Sequence, residues 1–228
     1  MTEIQKFLFD NRDLKYRSFS LKLIPNIDEK TVVGVRAPVL KEKAKQMYKS
    51  GEYVDFIKKL PHKYLEENTL HGYILCQIKD FDELINETER FLPFINNWAV
   101  CDIIRPKVFK KHTDVLYEKA EKWLESDETY TVRFGMGMLM SYFLDEEFSN
   151  EHLSLVAKAD SEEYYISMMA AWYFATALAK QYSQAVKFIE NKRLLPLTHN
   201  RAIQKAVESY RIPQERKEYL KTLKIIIK

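Results

Sequence analysis

The sequence is poor in the residues that mark several protein classes. It has two cysteines in 228 residues, Cys76 and Cys101, with no CxxC spacing. Neither a disulfide framework nor a zinc site is indicated, and both thiols are expected to be reduced and packed inside helices. Five glycines, seven prolines and the lack of any low-complexity tract exclude collagen-like and linker-rich chains. No apolar run reaches the roughly 20 residues that a bilayer span needs. The longest, Ser167 to Ala179, follows Glu162 and Glu163 and reads as a buried helix. The first ten residues carry Glu3, Lys6 and Asp10 and show no basic-then-apolar secretory pattern, so a cytoplasmic location is expected. A P-loop, a dinucleotide fingerprint, a nucleophile-elbow serine and HExxH are all missing, and His62, His71, His112, His152 and His199 lack ligand spacing. Neither a metal nor a nucleotide cofactor is expected. A carboxylate enzyme survives these exclusions, because one Asp needs no sequence signature.

What is present describes a globular chain. Hydrophobic residues make up 46% and charged residues 30%, and thirteen Phe, fourteen Tyr and three Trp supply apolar surface to offset the entropy of ordering. The net charge of +3 is unevenly spread. Residues 1–60 hold 13 Lys and Arg against 8 Asp and Glu, and residues 186–228 hold 11 against 4, which leaves the middle of the chain at −9. Nucleic-acid binding would therefore come from one face or from the ends, since the whole-chain charge does not establish it.

Hydrophobic spacing is helical almost throughout, with breakers at short intervals. It predicts helices over about 38–50, 52–60, 64–78, 81–95, 97–110, 113–125, 128–144, 147–158, 161–180, 182–191, 197–210 and 213–226. Only Thr31 to Val35 reads as β-like, and Ala37-Pro38 then opens a helix. Very short connections make successive helices antiparallel neighbours, and the pairs recur every ~30 to 37 residues, a period of helical solenoids. The expected class is all-α, an α-solenoid of HEAT-like antiparallel helix pairs with a concave face, and a compact irregular bundle is the alternative. One domain, 1–228, is expected, with a short irregular first repeat over 1–37.

Several constellations carry potential chemistry. Asn97-Trp98-Ala99-Val100-Cys101-Asp102 puts Trp98 and Asp102 four residues apart, on one helical face. By itself such a pair reads as a core tryptophan with a solvated or capping aspartate. The apolar neighbours of Asp102, however, leave a desolvation cost to be explained. Arg133 lies in an otherwise apolar helix beside Gly135 and Gly137, a pattern suited to close approach of a backbone or a ligand, and by itself reads as tight helix packing with Arg133 salt-bridged to a neighbouring helix. Trp172, within Met168 to Phe174, reads in isolation as core. Arg201 and Lys205, one turn apart near a helix start, followed by Arg211, suit phosphate or a solvated stripe equally. Lys41, Lys43, Lys45 and Lys49 read as the solvent face of their helix.

Taken together, Gly34-Val35-Arg36-Ala37-Pro38 with Leu40, Asn97 to Asp102, Arg133 with Tyr142-Phe143, Trp172, and Asn200 to Tyr210 resemble the DNA alkylation repair family, the AlkD-like HEAT-like repeat DNA glycosylases. The resemblance implies a concave, DNA-facing cleft with Trp98, Asp102, Arg133 and Trp172 at its active-site positions. It implies hydrolysis of the N-glycosidic bond of cationic N3- or N7-alkylated purines in double-stranded DNA. Asp102 would stabilise charge developing on the deoxyribose and help place a water. The indoles of Trp98 and Trp172 would contact sugar and lesion, and Arg133 a backbone phosphate. Arg201, Lys205 and Arg211 would bind DNA phosphates. A monomer without nucleotide cofactor or membrane partner is expected.

The chain departs from the resemblance in one place. Leu21 to Asn26, around Pro25, breaks the helical pattern where these glycosylases carry an additional DNA-contacting helix. The expectation is a helix over 2–10, at most a short one over Leu14 to Leu23, and a loop from Pro25 to Thr31. Two alternatives to a glycosylase follow: a weakly DNA-binding paralogue without excision activity, and a helical-repeat scaffold that binds protein.

Overall fold

A computed structural model describes residues 1–227, and its regular structure is helical, with no strand among the described residues. The backbone forms two compact units, Met1–Lys111 and a second from His112 onward. The first contains α1 (Glu3–Asp10), α2 (Leu14–Leu23), α3 (Ala37–Ser50), α4 (Tyr53–Ile57), α5 (Leu65–Leu75), α6 (Phe81–Phe91) and α7 (Trp98–Cys101). Short 3-10 turns occupy Glu29–Thr31, Leu92–Phe94 and Lys107–Lys111. The second contains α8 (Thr113–Leu124), α9 (Thr129–Tyr142), α10 (Asn150–Lys158), α11 (Tyr164–Lys180), α12 (Tyr182–Glu190), α13 (Pro196–Glu208) and α14 (Gln214–Thr222). No helix among the described residues is long and apolar enough to cross a membrane.

Local chemistry sets the helix starts. Thr2 and Gln5 form a reciprocal capping box on α1, and Asp13, Asp80 and Asn97 each accept a backbone N–H from the first turn of α2, α6 and α7. Pro38 and Pro196 sit in the first turns of α3 and α13, where a missing N–H costs nothing. Gly51 ends α3 at φ +83, the left-handed cap that glycine adopts freely.

In the first unit α5 lies against α1, α3, α4, α6 and α7, and a core of Leu8, Val35, Leu40, Met47, Leu70 and Ile74 closes around it. In the second, α11 packs on α9, α10, α12 and α13. Its buried Ala170, Ala171, Ala175 and Ala177 let neighbours approach on several sides, which is why the run reads apolar all round. Gly135 serves the same end. A Cβ there would stand 3.2 Å from both the Ala120 carbonyl and Trp123 Cβ, so the glycine admits α8 against α9.

Two sequence expectations are corrected. The pattern over 97–110 predicts one helix, but α7 is a single turn, followed by an irregular stretch and the 3-10 turn Lys107–Lys111. Pro106 cannot donate to the carbonyl of residue 102 and disfavours helical backbone at Arg105. The Arg105 side chain instead donates to the Cys101 and Ile104 carbonyls. The β-like segment Thr31 to Val35 forms no ladder. Its amides turn to a side chain: Val33, Gly34 and Val35 N–H donate to the Glu66 carboxylate at 3.0, 2.6 and 3.4 Å. The expectation for the first 31 residues agrees with α1, the short α2 and the largely irregular run after Leu23.

Candidate active site

The site in the first unit starts from Asn97. This side chain is buried and caps α7 by accepting Val100 N–H at 3.0 Å, while its own amide donates to the Asn96 side chain at 2.9 Å. With the turn so fixed, Trp98 begins it and Asp102 closes it, the Asp102 N–H donating to the Trp98 carbonyl at 2.9 Å. Both side chains are half-buried and line one cavity of about 250 Å³. Tyr16, Phe19 and Leu23 of α2 form one wall, and Glu66 and Tyr73 of α5 another. Trp98 Nε1 donates to the Leu23 carbonyl at 3.1 Å, which fixes the indole and holds the last turn of α2. The desolvation cost that its neighbours suggest for Asp102 is softened, since the residue lies at a cavity wall rather than in the core.

α2 forms its wall without burying any residue of its own. It is held by bonds instead. Asp13 N–H donates to the Gly34 carbonyl at 2.9 Å, Arg36 grips the Asp13 carboxylate at 2.9 Å, and Arg17 donates to the carbonyls of Val32 and Glu29 at 2.8 and 2.6 Å. The Tyr16 amide, with Arg36, holds the Asp13 carboxyl below its usual value. Gly34 has φ +97, and a Cβ there would stand 2.5 Å from Arg17 Cβ and 2.7 Å from the Asp13 carbonyl oxygen. The Gly-Val-Arg-Ala-Pro segment thus fastens α2 through Gly34 and Arg36, opens α3 with Pro38, and is fastened in turn by Glu66. A larger cavity, about 590 Å³, lies elsewhere in this unit between α1 and Phe56, His62 and Lys43, and neither Trp98 nor Asp102 borders it.

In the second unit Arg133 is 5% exposed, and its Nη1 donates to the Tyr165 carbonyl at 2.8 Å, tying α9 to the start of α11. Trp172 on α11 is 44% exposed. Its apolar neighbours alone predict a core residue, but α11 has more apolar residues than its partners cover. On α13, Arg201 Nη1 donates to Ser167 Oγ at 2.5 Å, and its guanidinium lies 5.2 Å from the Tyr164 ring centroid. Thr198 Oγ1 donates to the Asp160 carboxylate at 2.7 Å and lies 3.0 Å from Ser167 Oγ. Burial pushes the Asp160 carboxyl up, opposed by Thr198 and the Leu195 amide. Lys205 is half-exposed, and Arg211 is exposed beside the Tyr210 ring.

A family model described as DNA alkylation repair enzyme matches residues 9–206. The chain belongs to that family. No curated protein sequence matches it. In this DNA alkylation repair family member, Trp98 and Asp102 share a cavity in the first unit, whereas Arg133, Trp172, Arg201, Lys205 and Arg211 belong to the second. Within the second unit Arg201 is bound into the Asp160–Thr198–Ser167 chain, and Arg133 bonds to backbone. Among the described residues no group of three or more His, Cys, Asp or Glu is placed to hold a metal.

Sequence reasoning misses Glu66, the Asp160–Thr198–Ser167 chain, and the pair His62–His71, whose ring nitrogens lie 2.9 Å apart. Glu66 reads from sequence only as an acidic residue in a helix's first turn. Its partners are 31 to 33 residues earlier, and no local pattern announces them.

Proposed function

We propose that this alkylation repair protein is a DNA glycosylase that releases cationic N3- and N7-alkylated purines from duplex DNA. The observation that carries the reading is the pairing of Trp98 and Asp102 on one open cavity, with the indole held by the Leu23 carbonyl. Alkylation at N3 or N7 makes the purine a cation, and the C1′–N bond is already weakened. When it breaks, its electron pair returns to the base as a neutral leaving group, and positive charge develops on the deoxyribose. A carboxylate at the cavity wall stabilises that charge, and a water adds to C1′ and gives its proton to Asp102 or solvent. The face of Trp98 suits a cationic ring or the sugar. In this reading the helix pairs are HEAT-like repeats, and the DNA contacts of the second unit are Trp172 and, toward phosphates, Arg201, Lys205 and Arg211. The bond from Arg133 to Tyr165 supports a role in setting the start of α11 alongside any phosphate contact.

A second reading, a weakly DNA-binding paralogue without excision, is favoured by the irregular chain after Leu23. That run, broken by Pro25, leaves no helix beyond α2 before α3 apart from one 3-10 turn. One experiment separates the two: quantify free 3-methyladenine and 7-methylguanine after incubating the protein with methylated duplex DNA. Release by the wild type and its loss in Asp102→Asn support the glycosylase. No release, with salt-sensitive DNA binding retained, supports the paralogue.

A further inference from the structure

A third cavity of the first unit, about 340 Å³, lies between the end of α1, the start of α2, the segment before α3 and the start of α5. Its polar wall is cationic. Arg12, Arg17 and Lys30 line it, and neither Asp nor Glu does. Among the described residues none of the three cations has a carboxylate within ion-pair distance. Arg17 is immobilised from behind, since its Nε and Nη2 donate to the Val32 and Glu29 carbonyls, and among the described residues Nη1 has no hydrogen-bond partner. Arg12 and Lys30 are exposed at the rim. The remaining wall is aromatic and aliphatic. Phe9 and Tyr64 meet edge to face at 5.4 Å, the Arg12 guanidinium stands 6.0 Å from the Phe9 centroid, and Leu14 is exposed beside them.

Uncompensated cations repel one another, and a cavity that gathers three of them without an acid suits an anion of more than one charge. A terminal phosphomonoester carries close to two negative charges near neutrality, whereas a phosphodiester inside a strand carries one. The fixed guanidinium supplies one preorganised donor, so less entropy is lost on binding than with a free side chain. The adjacent aromatic and aliphatic wall suits a flat base, and the volume falls in the range of small-ligand pockets.

We infer that this cavity binds a terminal phosphomonoester attached to a nucleobase, either a free nucleoside 5′-monophosphate or the 5′-phosphorylated end of a DNA strand. The inference goes beyond the glycosylase reading and does not depend on it, because base release plays no part in the binding.

Calorimetric titration of the full chain tests it with four probes: deoxyadenosine monophosphate, a 5′-phosphorylated oligonucleotide, the same oligonucleotide ending in a 5′-hydroxyl, and inorganic phosphate. The expected result is one-to-one binding of a phosphorylated probe, about tenfold or more tighter than the hydroxyl-ended strand or inorganic phosphate. Arg12→Gln and Lys30→Gln, both at exposed positions, should each weaken that binding several-fold at unchanged melting temperature, whereas Lys15→Gln, outside the cavity, should not. Preference for the mononucleotide or for the strand end names the source, and both support the site. Equal affinity for phosphorylated and hydroxyl-ended strands, inorganic phosphate binding as tightly as the nucleotide, or indifference to both cavity substitutions would overturn it.

Discussion

The indole nitrogen of Trp98 donates to the carbonyl of Leu23, 75 residues earlier in the chain, at 3.1 Å. A side chain at the candidate site is therefore also the tie that closes the C-terminal end of α2, a helix with no buried residue. Trp98→Phe keeps a ring and removes the donor. It should cost about 1 kcal/mol and speed amide exchange in α2 while α5 is unchanged. Hydrogen-exchange mass spectrometry of α2 peptides reads the effect, and unchanged exchange there would refute the tie.

Gly34 and Gly51 both have positive φ, but their surroundings differ. Gly51→Ala meets nothing within 4 Å and should cost only the backbone term, about 1 kcal/mol. Gly34→Ala would put Cβ against Arg17 and the Asp13 carbonyl, so the loop must move, at a cost of roughly 2–4 kcal/mol. Urea titrations of the two variants give the comparison, and equal costs would contradict it.

His62 and His71 contact each other between Phe56 and Phe91, with His71 stacked on Phe91 at 3.8 Å and His62 on Phe56 at 4.6 Å. Burial pulls His62 down to about 4, and burial, His62 and Arg90 push His71 well below its usual value. Both imidazoles therefore resist protonation in the folded state more than in the unfolded chain. Stability should be full above pH 6.5, the ordinary histidine value, and should fall as the pH drops from there toward 4. The double variant His62→Phe/His71→Phe should flatten that slope in denaturant titrations across the window. A slope equal to the wild type's would refute the assignment.

The proposed phosphate contacts of the second unit predict a salt-dependent affinity for DNA. With the chain after Leu23 irregular, as the weakly binding reading has it, binding measured by fluorescence anisotropy should be detectable at low salt, nearly absent at physiological salt, and little different for methylated and unmethylated duplex. Lys205→Gln should lower the slope of log affinity against log salt by about 1. Tight, lesion-selective binding at physiological salt would contradict the weak-binding expectation.

Much of this is legible in the sequence because it is local. Helix boundaries follow from Asp13, Asp80, Asn97, Pro38 and Pro196, each of which acts within one turn, and the Trp98–Asp102 spacing is itself one turn long. What escapes the sequence is set by partners far along the chain. Thr31 to Val35 has the β-branched composition of a strand, but the Thr31 and Val32 amides close the preceding turn on Asp28 and Glu29, and those of Val33, Gly34 and Val35 go to the Glu66 carboxylate. Helical spacing continues through 97–110 although Pro106 ends it. Trp172 has the neighbours of a core residue, and only the packing around α11 decides that 44% of it faces solvent. His62 and His71, nine residues apart, become a pair only because Phe56 and Phe91 close on both.

The Glu66 carboxylate also bears on how the chain is made. During synthesis residues 33–35 leave the ribosome some thirty residues ahead of the group their amides need. Until α5 emerges, Gly34 has no reason to hold its left-handed turn, and α2, fastened through that turn, has little to rest on. The amino-terminal sixty residues are therefore passengers of α5 in folding, and a fragment that stops short of Glu66 should stay unstructured around α2, however well Thr2 and Asp13 cap their helices.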